Sequence, residues 1–344
     1  ALSMLKEGAN GNTLNEIENL LKDTNINDIS SDNVGVANAI FIKNQYKDYI
    51  EKDFQNLLTT KYYSEVLYDE FTTPDIINHW TDEKTNHMIP KLLDSVGKDF
   101  VLGLANALAI DVKWDKEFDC SNTTSEEFKG GSKVINTEMM HAEYEDSKFK
   151  YFENDDAQGI VLPYRENENS NLEFIGILPN NDIDTYINNM TLDDIDSNIT
   201  KASNKIHINL SLPRFSYEFS MENKDFIAYL NNLGIKDAFD KEKADFTKIM
   251  TRENMYKNAF SNLYVSEAIH KTKIELNESG TKAAAVTYFG MAKYDAVPEG
   301  KPKVIDIKFN KPFIYIIRDS KTYEILFEGA VYNPNTWNGS TCNN

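Results

Sequence analysis

Residues 100–114, FVLGLANALAIDVKW, form a long apolar run that limits the possible folds of this chain more than any other segment. The run is too long and too apolar for a strand at the edge of a sheet. Strands that are buried on both faces have near-continuous hydrophobic sequences of this kind. We therefore expect residues 100–114 to form a central strand in a sheet that is covered on both faces.

Several helices are predicted from apolar residues that recur at helical spacing. Residues 46–63 predict an amphipathic helix, and residues 74–94 predict another that ends near Pro90. Thr13 and Glu16 have the spacing of a capping box, in which two side chains satisfy the first amides of a helix. The sequence therefore predicts three helices in the first part of the chain.

Strands are predicted along the whole chain from short apolar or alternating runs. They lie at residues 36–43, at GIVLPY and NLEFIGILPN, along the alternating stretch HINLSLPRFSYEFS, and in two apolar runs around a polar turn in residues 311–334. The stretch FIAYLNNLGIKDAF (226–239) predicts a short helix that ends at Gly234. Neither an internal repeat nor a linker is visible, so we expect one mixed domain over residues 1–344.

Composition permits a large core and excludes several kinds of partner. Hydrophobic residues make up 41% of the 344 residues, and the formal net charge is -19. Phosphate and sulfate groups are bound by clustered cations, which so acidic a chain does not offer. We therefore expect no binding to nucleic acid, to heparin-like polyanions or to anionic membranes.

The two cysteines, Cys120 and Cys342, are too few for a disulfide framework. The sequence does not decide whether they form one disulfide bond with each other. No apolar run approaches the ~20 residues that a membrane-spanning helix needs. A signal peptide is not visible. A soluble protein is expected, with secretion slightly favoured over a cytoplasmic location.

Catalytic motifs are missing from the sequence. It contains no HExxH, G-x-S-x-G, P-loop, GxGxxG or CxxC pattern. His79 and His87 lie eight residues apart on one predicted helix, which is the wrong spacing for a shared metal ion. The expectation is therefore a protein that is not an enzyme and that needs neither a metal nor a cofactor.

The stretch ELNESGTKAAAVTYFG, residues 275–290, could be helix, strand or loop and is typical of none of them. Its alanines suit a helix, whereas the β-branched residues around them favour strands. The stretch resembles the reactive-loop hinge of serpins, which has an acidic residue, a spacer, Gly, Thr and a run of alanines. Other serpin landmarks follow in order, among them INHWTDEKTNHMI (77–89), LANALAIDVKW (104–114), LSLPRFS (210–216), FNKPFIYII (309–317) and LFEGAVYNP (326–334).

The resemblance implies an α+β serpin fold with three β-sheets, a large central sheet A and about eight helices. It places the reactive-centre loop at about residues 278–305, exposed or inserted. Helix A and the start of helix B would precede Ala1, as in an N-terminally truncated serpin. The connection between Lys22 and Val36 is too short for the usual helix D, so no regular helix is expected at residues 24–34.

Site residues follow from the resemblance position by position. The hinge comprises Glu278, Gly280, Thr281, Ala283, Ala284, Ala285 and Thr287. Trp114, Arg214 and Glu278 match the breach, where the loop first enters the sheet, and an Arg–carboxylate pair is expected there. Asn106 and His270 match the shutter, where hydrogen bonds close the sheet. For His270 alone, an ordinary core histidine is the alternative.

Alternate residues of an inserted strand face the same side. One parity of the hinge carries only small side chains, namely Thr281, Ala283, Ala285 and Thr287, and this set is expected to face inward. The other parity includes Lys282, at a position where an acidic residue is usual in the family. Non-inhibitory serpins tend to have bulky, charged or proline residues in the hinge, so this hinge favours an inhibitor.

The resemblance therefore implies a suicide inhibitor that traps a serine proteinase as a covalent acyl complex. Counting sixteen residues from the hinge glutamate gives Tyr294–Asp295 as the reactive bond, with Lys293–Tyr294 as the alternative and Met291 if the loop shifts the register. Tyr294 suits a chymotrypsin-like or cathepsin G-like enzyme, and Lys293 suits a trypsin-like one. A non-inhibitory serpin that acts as chaperone, carrier or storage protein is the alternative function.

The resemblance also implies an assembly state. We expect a monomer that can form loop–sheet polymers, and no heparin site.

Overall fold

A computed structural model describes residues 1–22, 34–145, 148–166, 171–203, 207–281 and 304–334. The chain forms two compact units, each built from two separate segments. The first unit comprises Ala1–Ala109 with Glu218–Lys273, and the second comprises Ile110–Tyr217 with Ile274–Asn344. That the whole chain is one domain stays a prediction. Within the described ranges, every helix is too short or too polar to span a bilayer.

Eight α-helices and sixteen strands are described. The helices are α1 (Leu2–Gly8), α2 (Gly11–Leu20), α3 (Lys52–Lys61), α4 (Asp75–Lys84), α5 (Ile183–Asn189), α6 (Leu192–Lys201), α7 (Asn223–Asn232) and α8 (Arg252–Lys257). The first eight strands are β1 (Val34–Lys43), β2 (Glu65–Asp69), β3 (Leu102–Ile110), β4 (Val112–Lys113), β5 (Thr124–Lys129), β6 (Val134–Tyr144), β7 (Lys150–Glu153) and β8 (Ala157–Pro163). The others are β9 (Leu172–Pro179), β10 (His207–Pro213), β11 (Phe215–Glu222), β12 (Ile269–Leu276), β13 (Gly280–Thr281), β14 (Val304–Lys308), β15 (Phe313–Asp319) and β16 (Ile325–Val331).

The strands form four hydrogen-bonded sets in the described part of the chain. Their orders are β2-β1-β3, β14-β10-β6-β5, β11-β12-β13-β4 and β16-β15-β9-β8-β7. Residues 38–41 and 104–114, which resemble strands of serpin sheet A, fall in the first and third sets. The predicted α+β architecture with several sheets and about eight helices is confirmed.

The first unit has its core between its helices and the face of the β2-β1-β3 sheet. Ile17 from α2, Phe54 and Leu58 from α3, and Ile40 and Ile42 from β1 are all at most 3% exposed and belong to one apolar cluster. On β1, the alternate residues Ala39 and Phe41 belong to a second cluster with Trp80 of α4. The predicted strand at 36–43 is therefore covered on both faces.

The five-stranded sheet dominates the core of the second unit. All eight residues of β9 are buried, and the strand lies between β8 and β15. Helices α5 and α6 supply Ile183, Ile195 and Ile199 to the apolar cluster that includes Ile175 and Ile177 of β9. The predicted neighbouring strands GIVLPY and NLEFIGILPN are confirmed as β8 and β9.

Three predicted helices have different ends in the structure. Helix α2 begins at Gly11 after the N-cap Asn10, so Thr13 and Glu16 form no capping box. They lie inside the helix instead: Thr13 Oγ1 accepts from the amide of Asp245, and Glu16 accepts from the amides of Lys236 and Asp237. Thr13 and Glu16 are residue types that can form a capping box, but both side chains accept hydrogen bonds from residues that are distant in sequence.

The other two helices are shorter than predicted. The helix expected at 46–63 is α3, which starts only at Lys52, after a 3-10 turn at Asn44–Tyr46. Helix α4 ends at Lys84 and not near Pro90, because Asn86 and His87 have positive φ angles of 50° and 61°. The amide of His87 donates to the carbonyl of Asp82 at 2.8 Å.

Residues 100–114 form two strands. Strand β3 pairs with β1 and is the outer strand of its set among the described residues, whereas a central strand was expected. Strand β4 is the outer strand of the set that contains β13. The predicted absence of a regular helix at 24–34 concerns residues 23–33, which lie outside the described residues.

Candidate functional site

The beginning of the hinge is already a strand in this structure. Gly280 and Thr281 form β13, which lies between β12 and β4. Thr281 pairs with Leu276 of β12 on one side and with Val112 of β4 on the other, and Gly280 pairs with Lys113. This places the hinge residues Gly280 and Thr281 between two strands of one sheet.

Gly280 is needed here for a steric reason. Its φ angle is +155°, and a Cβ atom at this position would lie 2.0 Å from the carbonyl oxygen of Val112. Non-glycine residues rarely adopt this conformation, and no side chain fits against backbone at that distance. The glycine therefore permits the close approach of β13 to β4.

A tight turn, which we call the hinge turn (residues 277–280), connects β12 to β13. The amide of Asn277 donates to the carbonyl of Gly280 at 2.9 Å, and the amide of Gly280 donates back at 3.2 Å. This reciprocal pair is typical of a hairpin with a two-residue loop, here Glu278 and Ser279. Glu278 therefore lies in the loop of a short hairpin, and Gly280 and Thr281 form its second strand.

The segment after β4 holds the hinge turn from outside. The indole Nε1 of Trp114 donates to the carbonyl of Asn277 at 2.8 Å. The backbone amide of Trp114 donates to the carbonyl of Ser279 at 2.9 Å, and the amide of Phe118 donates to that of Glu278 at 2.8 Å. Three consecutive carbonyls of the turn are thus bound by two residues.

Thr281 occupies a buried site with Tyr164 at its base. Its side chain and that of Tyr164 share a hydrogen bond of 2.7 Å, and both residues are 1% exposed. The Tyr164 ring stacks on Trp114 with centroids 4.6 Å apart and an interplanar angle of 9°. Burial raises the pKa of the Tyr164 hydroxyl, so that it stays protonated and able to donate.

Backbone pairing explains how Tyr164 comes to lie beside Trp114. The amide of Asp115 donates to the carbonyl of Pro163 at 3.0 Å, and the amide of Arg165 donates to the carbonyl of Lys113 at 2.8 Å. These two bonds flank a bridge between Trp114 and Tyr164. The end of β8 therefore delivers Tyr164 directly below the hinge.

The expected breach residues lie together. Glu278 is 1% exposed, and its Oε1 lies 3.6 Å from NH1 of Arg214. The hydroxyl of Thr123 donates to the same oxygen at 2.7 Å. Arg214 also donates from NH2 to Glu138 Oε2 at 3.3 Å. The guanidinium therefore bridges two carboxylates, one of which is fully buried.

The two expected shutter residues are not in a common hydrogen bond. Asn106 is exposed and donates from Nδ2 to Asn38 Oδ1 at 2.9 Å. His270 is also exposed, so it is not a core histidine; its ring lies 5.8 Å from that of Phe226 and 6.0 Å from that of Phe219. Contact with these rings removes water from part of the imidazole, and this lowers its pKa.

The rest of the predicted site lies outside the described residues. This applies to the hinge residues Ala283, Ala284, Ala285 and Thr287, to both candidate reactive bonds among Lys293, Tyr294 and Asp295, and to Met291. Cys120 forms a disulfide bond, whereas Cys342 is also outside the described residues. Among the residues that are described, no group of three or more His, Cys, Asp or Glu could hold a metal ion.

Sequence reasoning missed Tyr164, Thr123, Glu138 and Asn277. Each lies far from its partner in sequence or, like Asn277, acts through a side chain whose direction depends on the turn. A tyrosine that directly follows a buried strand is the one local signal for Tyr164, and it does not name a partner. Chemically, the assembled residues hold an extended backbone in a sheet; they do not form a nucleophile with its base.

Comparison with known proteins agrees with this geometry. The family model described as serpin (serine protease inhibitor) matches residues 1–334. A serpin-like protein of Methanosarcina acetivorans is 30% identical over 97% of this chain and 79% of its own length. A leukocyte elastase inhibitor of Xenopus tropicalis is 28% identical over 97% of this chain and 90% of its own.

Solved structures agree as well. The native state of the thermophilic serpin tengpin matches with a TM-score of 0.78 and 30% identity, over 96% of this chain and 85% of that one. A family model that covers almost the whole sequence, relatives that align along nearly the entire chain and a common fold lead to one conclusion. The chain belongs to the serpin family.

Proposed function

We propose that this protein is a suicide inhibitor of serine proteinases and that it traps the acyl-enzyme by inserting its cleaved reactive loop into a sheet. The observation that carries the proposal is the position of β13. Gly280 and Thr281 already lie between β12 and β4, with Thr281 buried. An extended chain that continues from Thr281 would therefore lengthen a strand that has already started.

The chemistry of trapping is that of an interrupted hydrolysis. The serine hydroxyl of the proteinase attacks the carbonyl carbon of the reactive residue, the peptide bond breaks, and the amine leaves with a proton. An ester then joins the reactive residue to the proteinase. If the loop inserts before water attacks this ester, the tethered proteinase is carried away and distorted, and hydrolysis stops.

The dimensions suit this mechanism. About fifteen residues at ~3.3 Å per residue give a strand of roughly 50 Å. The side chains that would face inward with Thr281 are the small ones of Ala283, Ala285 and Thr287. Small side chains enter a packed sheet without steric conflict, and none of these is charged. A relative named as a leukocyte elastase inhibitor gives the proposal further support.

For the reactive bond we favour Tyr294–Asp295, with Lys293–Tyr294 as the competitor. The aromatic side chain of Tyr294 fits the deep apolar pocket of a chymotrypsin-like or cathepsin G-like proteinase. Lys293 fits a trypsin-like one, and a cut there shortens the inserted strand by only ~3.3 Å. Asp295 after the bond disfavours many proteinases, which keeps the Lys293 site in competition.

The test is incubation of the purified chain with chymotrypsin and, separately, with trypsin, followed by denaturing gel electrophoresis. We expect a band at the summed mass that survives boiling in detergent. A proteinase whose active-site serine is blocked beforehand is the control and should give no such band. Complete cleavage of the loop without any complex would show a non-inhibitory serpin.

Mass spectrometry of the released C-terminal fragment then identifies the bond. A new N-terminus at Asp295 supports Tyr294, and one at Tyr294 supports Lys293. A new N-terminus beyond Val297 would show that the count from Glu278 does not apply to this protein.

A further inference from the structure

Asn277 is a fully buried amide whose side chain holds the hinge turn from within. It is 0% exposed. Its Oδ1 accepts from the amide of Ser279 at 2.9 Å and from the amide of Gly280 at 3.2 Å. The side chain therefore satisfies the two amides that immediately precede Thr281.

The side-chain bonds complement those made from outside. Trp114 and Phe118 bind the carbonyls of residues 277, 278 and 279, whereas Asn277 binds the amides of residues 279 and 280. Both backbone hydrogen-bonding groups of Ser279 are therefore occupied. A segment with its backbone groups occupied in this way has little freedom to change conformation.

The other end of the Asn277 amide is unsatisfied. Its Nδ2 is buried and has no hydrogen-bond partner among the described residues. A buried polar atom without a partner costs free energy, so an apolar residue would be favoured here if the position served only packing. The acceptor oxygen is the part of the side chain that has partners, and it acts on the turn.

We propose that Asn277 is the positioning residue that fixes the hinge turn, so that Gly280 and Thr281 are seated between β12 and β4 before the reactive loop is cut. Without its Oδ1, the amide of Ser279 loses its partner and the amide of Gly280 keeps only the 3.2 Å bond to the carbonyl of Asn277. The turn then opens, and Thr281 leaves its site beside Tyr164.

For inhibition, this proposal rests on the proposed function and states how the site is primed. Insertion competes with hydrolysis of the acyl-enzyme. If the first strand residues are already paired, insertion proceeds by adding residues to an existing strand and needs no new start. Loss of the Asn277 oxygen is therefore expected to slow insertion and to divert more inhibitor into simple cleavage.

The first experiment is hydrogen exchange of the intact protein, which does not depend on any proteinase. In Asn277→Ala we expect the amides of Ser279, Gly280 and Thr281 to exchange about tenfold faster than in the parent chain. The first two amides lose their hydrogen bond to Asn277 Oδ1, and Thr281 loses its fixed position between β12 and β4. Asn277→Asp keeps an acceptor oxygen and is expected to retain most of the protection. It also serves if the alanine variant folds poorly.

Asn154 provides a matched control. Its Oδ1 accepts from the amides of Asp156 and Ala157, both at 2.9 Å, in the turn between β7 and β8. Asn154→Ala removes the same kind of bond pair from a turn that does not lead into the hinge. It should speed exchange at Asp156 and Ala157 and leave residues 279–281 unchanged. Equal exchange at residues 279–281 in Asn277→Ala and the parent would overturn the proposal.

The second experiment measures how many molecules of inhibitor are consumed per proteinase trapped. We expect this ratio to rise about threefold or more in Asn277→Ala and to stay unchanged in Asn154→Ala, since slower insertion gives hydrolysis of the acyl-enzyme more time to compete. Faster exchange with an unchanged ratio would show that Asn277 fixes the turn but does not prime insertion, and the proposed effect on inhibition would be wrong. If the parent chain traps no proteinase, the proposed function fails, whereas the exchange result still decides whether Asn277 seats the hinge.

Discussion

The hydroxyl oxygens of Tyr164 and Thr281 lie 2.7 Å apart in a site that excludes water. Tyr164 comes from the end of β8 and Thr281 from the short strand β13, so the bond joins residues 117 positions apart in sequence. Because both hydroxyls are buried, each depends on the other for a partner. Thr281 of β13 is therefore held by a side-chain bond as well as by its pairing in the sheet.

Removal of both hydroxyls should cost less than the sum of the two single removals. We expect Tyr164→Phe or Thr281→Val alone to destabilise the protein by about 1–3 kcal/mol, because one buried hydroxyl is left without a partner. The double variant should cost less than the sum of the two, since two apolar groups then face each other. Thermal unfolding of the four proteins measures this, and strictly additive losses would contradict the assigned bond.

Thr281→Arg is expected to turn the inhibitor into a substrate. Thr281 is 1% exposed, so arginine would have to place its charge against Tyr164 or stay outside the sheet. Gel analysis should show cleaved protein in place of the covalent complex. Thr322→Arg, at an exposed turn, is the control and should form complex normally. An undiminished yield from Thr281→Arg would show that this side chain does not face inward during insertion.

Gly280→Ala is expected to displace β13. The added Cβ would lie 2.0 Å from the carbonyl oxygen of Val112, and backbone cannot retreat as a flexible side chain can. Limited proteolysis should then cut near residue 281 faster than in the parent. Gly131→Ala is a suitable comparison, because the nearest atom to its Cβ would be 3.8 Å away. Identical digestion of the parent and Gly280→Ala would contradict the close approach of β13 to β4.

The carboxylate of Glu126 should make stability depend on pH. Partial burial opposes its ionisation, but hydrogen bonds from Lys308, Thr124 and His141 outweigh this and hold its pKa below the ordinary value. The folded state therefore favours the charged form. Its contribution is complete above the unfolded pKa of about 4.3 and is lost as pH falls through the lower folded pKa.

This pH dependence can be measured by denaturant unfolding. We expect the advantage of the parent over Glu126→Gln to be constant near neutral pH and to shrink below about pH 4.3. Glu127→Gln alters the next residue of β5, which is exposed, and should show no such trend. An advantage that grows as the solution becomes more acidic would have the wrong sign.

Cleavage of the reactive loop should raise Tm sharply. Insertion adds a strand that is hydrogen-bonded on both sides and buries apolar surface at about 25 cal/mol per Å². The gain should far exceed the ~1 kcal/mol of a typical substitution. Melting curves of intact and nicked protein decide this, with gel filtration to show that the intact sample is monomeric. Equal midpoints would favour a non-inhibitory serpin.

Sequence patterns predicted the strands whose residues are mostly apolar and buried. β8, β9 and β15 were visible because their apolar runs are buried along almost their whole length. The ends of helices were less predictable. Thr13 and Glu16 had the spacing of a cap, yet partners more than 200 residues away use both side chains. Such partners are set by the fold and leave no local pattern.

At the site, the resemblance supplied Trp114, Arg214 and Glu278, and the structure places all three around the start of the hinge. It could not supply Tyr164 or Asn277. Tyr164 reaches the hinge only because β8 ends beside β4, and Asn277 acts only because the turn directs its oxygen at two amides. These facts depend on three-dimensional arrangement and not on spacing in the sequence.

The contacts of Trp114 give the protein an intrinsic fluorescent reporter. Its indole both donates to the hinge turn and stacks on the ring next to Thr281, so opening of the turn changes the polarity and hydrogen bonding that set its emission. The chain has two other tryptophans, Trp80 and Trp337. In a variant with both replaced by phenylalanine, tryptophan fluorescence would come from Trp114 alone. Its emission wavelength would then report opening of the hinge turn in real time without any attached dye.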